Sequence, residues 1–321
     1  MKHRKRLSAL VLSLLTVGLL LSVSALAVGR IDQSKPVRLT LSYQEAGVPL
    51  VGAAFSAYQI ATVNDVGELT TTEPFQMFNV DIRGKNDAAW RLLASTLEGY
   101  LLRDNVTPTA QGVTDEDGQL TWPAEGKALP QGLYLILGER HTQDGYEYDP
   151  TPFLVLLPSV DKEQNEYRYE VTADVKHQSE PIPDTPKPVT RTVQKVWKDT
   201  GHESERPQQV VVQLLQNGKL YDTVTLSAET NWRHTWTKLD GSAKWNVTER
   251  DLSDYTVTVS QETTTFVVTN TYQGTAPSTP TNSGKLPQTG QLWWPVPVLL
   301  SVGLLCVLIG VLRRRGAGDE P

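Results

Sequence analysis

The amino-acid sequence predicts an all-β protein with two tandem antiparallel β-sandwiches, the first carrying a helical insertion, and a C-terminal transmembrane helix. Apolar and polar residues alternate from Val37 to Tyr43, which is the period of a half-buried strand. Farther along, short alternating segments are broken by Asn217-Gly218 and Asp240-Gly241, dipeptides that favour tight hairpin turns. A run of 21 uncharged residues at 292–312 is long enough to span a membrane as a helix.

The N-terminal segment has the organisation of a secretory signal peptide. Basic residues between Lys2 and Arg6 precede an apolar stretch from Leu7 to Leu21, and Ala25-Leu26-Ala27 supplies the small residues that a signal peptidase requires. We therefore predict that residues 1–27 are removed by cleavage after Ala27. The alternative is an uncleaved membrane anchor, which the shortness of the apolar stretch disfavours.

The C-terminal segment combines a pentapeptide, the apolar run and a basic stop, in that order. The pentapeptide is Leu286, Pro287, Gln288, Thr289 and Gly290, and three arginines open the predicted cytoplasmic tail at 313–321. This order resembles the LPxTG cell-wall sorting signal of Gram-positive bacteria. The resemblance implies that a sortase cleaves after Thr289 and joins it to a peptidoglycan precursor or to a neighbouring subunit. An ordinary membrane anchor that is never cleaved is the alternative.

The charge of the exported part disfavours nucleic acid as a partner. Seven of the 30 basic and two of the 36 acidic residues lie in the two terminal segments, leaving 23 against 34, a formal net charge of −11. Such a surface repels phosphate backbones, and no basic stripe offsets it. The only cysteine, Cys306, lies in the membrane run, so the exported part forms no disulfide.

The sequence indicates neither a cofactor nor a metal site. The five histidines are scattered, and no pair has metal-ligand spacing on one element. The acidic segment Thr114–Leu120 is either a calcium loop or a plain Asp-Gly turn. We favour the turn, because the glutamate that a helical calcium hand places at its twelfth position is missing.

About 260 exported residues suggest two domains. We place the first at 31–178 and the second at 191–273. The proline-rich stretch 179–190 between them is predicted to be a semi-extended spacer rather than a folded element, and a second spacer at 274–285 precedes the pentapeptide.

The first domain carries two phrases with a family resemblance. Residues 50–61 read LVGAAFSAYQIA, and residues 129–137 read LPQGLYLIL. Both are similar to landmarks of N-terminal pilin domains and Cna protein B-type modules. The resemblance implies an immunoglobulin-like β-sandwich.

One helix is predicted to interrupt the strands of the first domain. Asn86 or Asp87 is suited to be its N-cap. Apolar residues follow at 90, 93, 97, 100 and 101, a helical spacing that favours a core-facing stripe over a ligand-binding role.

The end of the first domain resembles the pilin motif of pilus backbone subunits. That motif reads W-x3-V-x-V-Y-P-K, and its lysine is the amine that a pilin sortase joins to the threonine of the next subunit. The spacing matches here with Tyr167 for the tryptophan and Lys176 for the lysine, whereas Ala173, Asp174 and Val175 replace V-Y-P. Lys176 is therefore either a polymerisation site or a solvated lysine where a strand meets the linker.

The second domain carries the densest resemblance. Its phrases are VQKVWKD at 193–199, RPQQVVVQLLQNG at 206–218, NWRHTWTKL at 231–239, WNVTE at 245–249 and FVVTNTY at 266–272. In this order they resemble the landmarks of a Cna protein B-type domain. The family implies an intramolecular amide bond between a lysine of the first strand and an asparagine of the last, promoted by a buried acid.

The family positions fall on Lys195, Asn270 and Glu249. Burial is expected to lower the pKa of the lysine and to raise that of the acid. A neutral amine is then a competent nucleophile, and a protonated carboxyl can hydrogen-bond the asparagine carbonyl. Taken singly, the three residues have ordinary interpretations as a surface lysine, an exposed strand residue and a turn former. We expect no such bond in the first domain, where residues 38–43 contain no lysine, the nearest amine is Lys35 and an acid follows at Glu139.

The predicted function is that of a sortase-anchored structural or adhesive protein on the Gram-positive cell surface, a pilin subunit or a wall-anchored stalk. A monomeric adhesin that does not polymerise is the alternative. Neither a nucleophile elbow nor a phosphate loop is present, so a wall-anchored enzyme is disfavoured. No host ligand is indicated.

Overall fold

A computed structural model describes residues 29–82, 86–125, 127–161, 163–250 and 254–274. The described residues belong to one compact unit that ends at Gly274. Within it lie 22 strands and the α-helix α1, Asp87–Asp104, so the predicted all-β class with one helical insertion is confirmed. Short 3-10 turns occupy Phe75–Met77, Glu203–Glu205 and Ala228–Thr230.

The strands in chain order are β1 Arg38–Ser42, β2 Gln44–Glu45, β3 Val48–Pro49, β4 Ala54–Val63, β5 Leu69–Thr71, β6 Ala110–Val113, β7 Gln119–Trp122, β8 Gly132–Gly138, β9 His141–Gln143, β10 Tyr146–Pro150, β11 Phe153–Leu157, β12 Ser159–Asp161, β13 Glu166–Arg168, β14 Glu170–Asp174, β15 His177–Pro181, β16 Val189–Lys198, β17 Gln209–Gln216, β18 Lys219–Ser227, β19 Arg233–Leu239, β20 Trp245–Glu249, β21 Tyr255–Glu262 and β22 Thr265–Tyr272.

Strands β1 to β15 form what we call the first sandwich. Its sheets run β14-β1-β7 and β11-β8-β4-β5, with β6 beside β4, and a third sheet runs β15-β10-β9. The inward residues of the first two sheets, such as Leu39, Leu41, Phe55 and Trp122, form one buried core. The alternation predicted for the first strand is confirmed, because Leu39 and Leu41 are fully buried there.

Helix α1 packs on the outer face of the five-stranded sheet. Asn86 caps it by accepting a hydrogen bond from Ala89 N at 2.9 Å, as one of the two predicted caps. The predicted apolar stripe is buried against Leu133 and Leu135, which confirms its core-facing role; its most buried members are Leu93, Leu97, Tyr100 and Leu101. This sheet is therefore covered on both faces, which explains why 133–136 is apolar without alternation.

Strands β16 to β22 form what we call the second sandwich. Its two sheets run β19-β16-β22-β21 and β18-β17-β20. Their inner faces enclose a separate core that includes Val193, Val212, Trp236 and Val268. The first strand, β16, pairs in parallel with the last, β22, so the two ends of this chain segment lie side by side.

The proline-rich stretch 179–190, for which the sequence predicts a semi-extended spacer rather than a folded element, belongs to strands at both of its ends, so the prediction is wrong there. Strand β15 continues to Pro181 and pairs with β10, from His177 opposite Pro150 to Pro181 opposite Tyr146. Strand β16 already begins at Val189. A proline is tolerated here because it is the last residue of an edge strand.

The acidic segment 114–120 is a turn in the structure. Asp115 Oδ1 accepts hydrogen bonds from the backbone N–H groups of Asp117 at 3.0 Å and Gln119 at 2.8 Å. Gly118 has a φ of +70°, which glycine adopts without strain. Asp115 thus satisfies backbone donors of its own turn, as the simpler interpretation requires.

Candidate functional site

The structure brings Lys195, Glu249 and Asn270 together in the core of the second sandwich. Lys195 Nζ lies 3.0 Å from Glu249 Oε2, and Asn270 Nδ2 donates a hydrogen bond to Glu249 Oε1 at 2.6 Å. Lys195 is 3% exposed, and the other two are 0% exposed. The ordinary interpretations of these residues as surface or turn side chains are therefore excluded by their burial.

The strand register explains why the lysine and the asparagine meet. In the parallel pair β16–β22, Lys195 is opposite Val268 and Trp197 is opposite Asn270. Because side chains alternate across a strand, all four point into the core, and Lys195 and Asn270 are diagonal neighbours on one face. Glu249 reaches them from the end of β20 in the opposite sheet.

Burial lowers the pKa of Lys195 to about 8, and this shift is partly opposed by the negative charges of Glu249 and Asp199. Desolvation disfavours the ammonium form more than these carboxylates favour it. The amine is also 4.5 Å from the centre of the Trp197 ring. A substantial fraction of Lys195 is thus neutral near physiological pH, which a nucleophilic role requires.

A second ion pair, in which only the carboxylate is buried, lies directly after the end of β16. Asp199 is 4% exposed, and both its carboxylate oxygens accept hydrogen bonds from Arg206, each at 2.6 Å. These hydrogen bonds lower the pKa of Asp199, so it stays charged. Arg206 also lies over the Trp197 ring, 5.7 Å from its centre. Because Arg206 neutralises Asp199, the carboxylate stabilises the Lys195 ammonium less than it would alone.

Sequence reasoning missed the Asp199–Arg206 pair. The two residues stand in the quoted phrases, but they lie in a predicted β-sandwich, where a spacing of seven does not indicate a contact. A turn at 203–205 folds the chain back between them. The available signal was an arginine seven residues after an aspartate, and such charged pairs are common on protein surfaces.

The asparagine amide has the opposite orientation to the one expected. We expected a protonated Glu249 to donate to the Asn270 carbonyl, whereas the amide nitrogen donates to Glu249 and the buried Oδ1 accepts no hydrogen bond. Rotation of the amide by half a turn about Cβ–Cγ exchanges the two groups. A buried carbonyl without a donor is costly, by about 1–3 kcal/mol, so this oxygen is ready to accept one.

The described part of the first sandwich contains no counterpart of this triad. Its strand β1 pairs in parallel with β14, as β16 does with β22, but the inward residues are Leu39 and Leu41. Glu139 is exposed. Lys35 is also exposed, with its Nζ 5.0 Å from the centre of the Tyr169 ring. Neither charged group reaches the core.

Lys176 lies at the surface between β14 and β15. Its side chain is exposed, while its backbone carbonyl accepts a hydrogen bond from Thr151 N at 2.8 Å. The backbone is thus held in place, and the amine faces solvent.

The predicted export and sorting features lie outside the described residues. These are Ala27 with the signal peptide, the pentapeptide at 286–290, and the apolar run at 292–312. In the part of the chain that the structure describes, no helix is long and apolar enough to cross a membrane. Among the same residues, no group of three or more His, Cys, Asp or Glu side chains is arranged to hold a metal ion.

Residues 191–271 match the family model of the Cna protein B-type domain. A curated relative, the collagen adhesin of Staphylococcus aureus, is 35% identical over 105 residues, which are 30% of this chain and 9% of the adhesin. The chain therefore matches only a small part of that relative's length. The family match covers the second sandwich and confirms the resemblance inferred from its phrases.

Solved structures similar to this chain include repeat modules and pilins. A single B repeat unit of the collagen-binding surface protein of Staphylococcus aureus has a TM-score of 0.26 and 17% identity, covering 75% of this chain and 99% of the repeat. The SpaE basal pilin of Lactobacillus rhamnosus GG has a TM-score of 0.30 and 11% identity, covering 71% and 85%. The major pilin SpaD of Corynebacterium diphtheriae has a TM-score of 0.28 and 15% identity, covering 75% and 65%.

Proposed function

We propose that this chain is a structural protein of the Gram-positive cell surface, anchored by a sortase, whose second sandwich is locked by an amide bond between Lys195 and Asn270. The observation that carries the proposal is the buried triad, with Glu249 in contact with both partners. The protein acts as a stalk or pilin subunit rather than as an enzyme, since its one reaction consumes its own side chains.

The chemistry begins with the neutral Lys195 amine. The Asn270 amide first rotates about Cβ–Cγ, so that its Oδ1 replaces Nδ2 beside Glu249. The lysine lone pair then attacks Cγ of Asn270, while a protonated Glu249 donates a hydrogen bond to the carbonyl oxygen and stabilises the negative charge that develops there. The bond from Cγ to Nδ2 then breaks. Glu249 carries a proton from the lysine nitrogen to the leaving nitrogen, ammonia departs, and Glu249 is regenerated.

The bond would join the first and last strands of the second sandwich. Since β16 and β22 lie side by side, pulling force would pass through the covalent link instead of loading the hydrogen bonds between strands. The link also restricts the unfolded chain in the way a disulfide does. For a loop of this size the chain-entropy model gives about 4 kcal/mol of stabilisation.

Intact mass spectrometry of residues 28–289 tests the amide bond. We expect a mass lower by one ammonia than the sequence requires, and the full mass in Lys195→Ala and Glu249→Ala. Lys198→Ala is the matched control, because Lys198 is an exposed lysine on the same strand. A wild-type chain with the full sequence mass would contradict the proposal.

Anchoring requires the C-terminal features outside the described residues. We propose that Thr289 is joined to the cell wall or to a neighbouring subunit after export. Deleting Leu286 to Gly290 in the native host should release the protein from the wall fraction. A wild-type protein that fractionates with the membrane, both with and without the pentapeptide, would argue for an uncleaved membrane anchor.

Polymerisation through Lys176 is the finer version of this function, and the exposure of its side chain favours it. Immunoblots of wall extracts should then show a ladder of masses that disappears in Lys176→Ala and persists in Lys198→Ala. A single band in all three strains would leave the monomeric wall-anchored adhesin as the function. The host ligand of such an adhesin is not specified by any described residue.

A further inference from the structure

The second sandwich has an open side where two edge strands meet. Strand β20 is the edge of one sheet and β21 is the edge of the other. Edge strands leave backbone N–H and C=O groups unpaired. Glu249 is the last residue of β20, so this side is a short route from solvent to the triad.

The first sandwich pairs with the edge of β21. Val259 N donates a hydrogen bond to Thr96 Oγ1 of helix α1 at 2.8 Å, and Val257 N donates to the backbone carbonyl of Asn79 at 3.2 Å. Asn79 Nδ2 in turn donates to the backbone carbonyl of Tyr255. Three backbone groups along this edge, on Tyr255, Val257 and Val259, are thus satisfied by hydrogen bonds from outside the second sandwich.

Helix α1 also lies directly against β20. A Cβ atom on Gly99 would be 3.0 Å from the carbonyl oxygen of Val247 and 3.6 Å from Thr248 Cβ, so a larger residue here requires the helix or the strand to shift. One turn later, Arg103 Nη1 donates a hydrogen bond to the carbonyl oxygen of Glu249 at 3.3 Å. The helix therefore holds the backbone of the residue whose side chain contacts both Lys195 and Asn270.

A network of ion pairs stabilises the contact between helix α1 and the second sandwich at its edge. Lys244 Nζ lies 3.0 Å from Glu98 on helix α1 and 3.0 Å from Asp149 on β10. Burial opposes the charge of Lys244, but the two carboxylates more than offset it and keep its pKa above the ordinary value. Asn246 Nδ2 also donates to Glu98, at 3.2 Å. A lysine of the second sandwich is thus bound by two elements of the first.

We propose that helix α1 is a positioning element for the amide bond, so that Lys195 and Asn270 react efficiently only after the first sandwich has docked on β20 and β21. This inference rests on the proposed cross-link. In the docked arrangement Thr248 is 1% exposed and Glu249 is 0% exposed. Without it, the outer edge of β20 is hydrated, the end of this strand is free to fray, and the carboxyl loses the fixed position from which it serves both partners.

Docking also controls the protonation of the amine. The charged groups facing Lys195 are Glu249 from β20 and Asp199 directly after the end of β16, the latter paired with Arg206. Water admitted beside Glu249 would favour the ammonium form. A displaced helix therefore slows the reaction and moves its pH dependence towards higher pH, which a purely structural contact would not do.

The test compares two leucine substitutions on the same helix in residues 28–289, which include every described residue. Gly99→Leu inserts a side chain between α1 and β20, whereas Ala88→Leu adds a similar volume at an exposed position. The fraction of chains lacking one ammonia is followed by intact mass after a pulse of synthesis, over a series of pH values. We expect Ala88→Leu to match the wild type and Gly99→Leu to be slower by about tenfold or more.

The outcomes separate this inference from the function on which it rests. A wild-type chain that never loses ammonia contradicts the proposed cross-link itself. If the wild type and Gly99→Leu both cross-link, at equal rates and with the same pH midpoint, the proposed role of the helix is overturned. If Gly99→Leu does not fold, Arg103→Met and Arg103→Lys decide, since methionine has no donor for the Glu249 carbonyl and lysine retains one. Equal rates in both Arg103 variants and the wild type would again overturn the inference.

Discussion

The first and second sandwiches place different residues at the same kind of strand pair. In each, an inner strand near the start of the domain pairs in parallel with a strand near its end. The first sandwich fills the inward positions with Leu39 and Leu41, and the second with Val193 and Lys195. Burying an isolated charge is costly, so a lysine is retained in such a core only where a partner or a reaction compensates for it.

The largest effect on stability is expected when a lysine is placed in the core of the first sandwich, where it has no acidic partner. Leu41→Lys buries an amine at a fully buried position, and no carboxylate of the β1–β14 pair faces it. We expect a loss of about 4 kcal/mol or more in the free energy of unfolding, measured by urea denaturation, and no additional loss of ammonia. Thr40→Lys, on the opposite face of the strand, is the control. Wild-type stability of Leu41→Lys would show that this core tolerates a lone lysine.

Removal of the proposed bond from the second sandwich should have the next largest effect. Asn270→Ala leaves Lys195 and Glu249 as an ion pair but prevents the amide. The free energy of unfolding should fall by about 4 kcal/mol, mainly because the unfolded chain is no longer cross-linked. Thr269→Ala, on the neighbouring outward position, should change it by less than about 1 kcal/mol. Equal stability of the two variants would mean that the bond contributes nothing to folding.

The uncross-linked second sandwich should also respond to pH where the cross-linked one does not. In Asn270→Ala, burial keeps the pKa of Lys195 near 8, against 10.5 in the unfolded chain. Between these values the unfolded state binds the extra proton, so stability rises with pH. The cross-linked wild type lacks this titration because an amide does not ionise. If the free energies of unfolding of the two proteins changed in parallel from about pH 8 to 10, the expected titration of Lys195 would be contradicted.

A smaller effect, on the pH midpoint for the loss of ammonia, is expected when the Asp199–Arg206 pair is broken. Arg206→Gln leaves the buried Asp199 carboxylate without its partner, and its charge then raises the pKa of Lys195. The pH midpoint for ammonia loss should therefore move upward, and Arg206→Lys should restore part of the wild-type value. The double variant Asp199→Asn, Arg206→Gln should remove the upward shift. An unchanged midpoint in all three would exclude electrostatic coupling between Asp199 and Lys195.

Much of the architecture follows from local patterns. Period-two alternation marks β1, and helical spacing with an asparagine cap marks α1, because burial of one face imposes those repeats. The triad was identified by family resemblance, and the structure places its members in contact. No periodicity alone would have joined Lys195 to Asn270, since they are 75 positions apart in the chain.

The sequence by itself determined the class of fold, the strands and helix that build it, and the candidate residues of the cross-link. The tertiary structure alone decided that helix α1 is buried on two sides. Thr96, Gly99 and Arg103 lie off its apolar stripe, and a polar helix face is ordinarily exposed to water. Their partners lie about 150 residues away, on the edges of another sandwich. Such contacts depend on backbone groups that edge strands leave unpaired, and those groups have no signature in the identity of the residues that carry them.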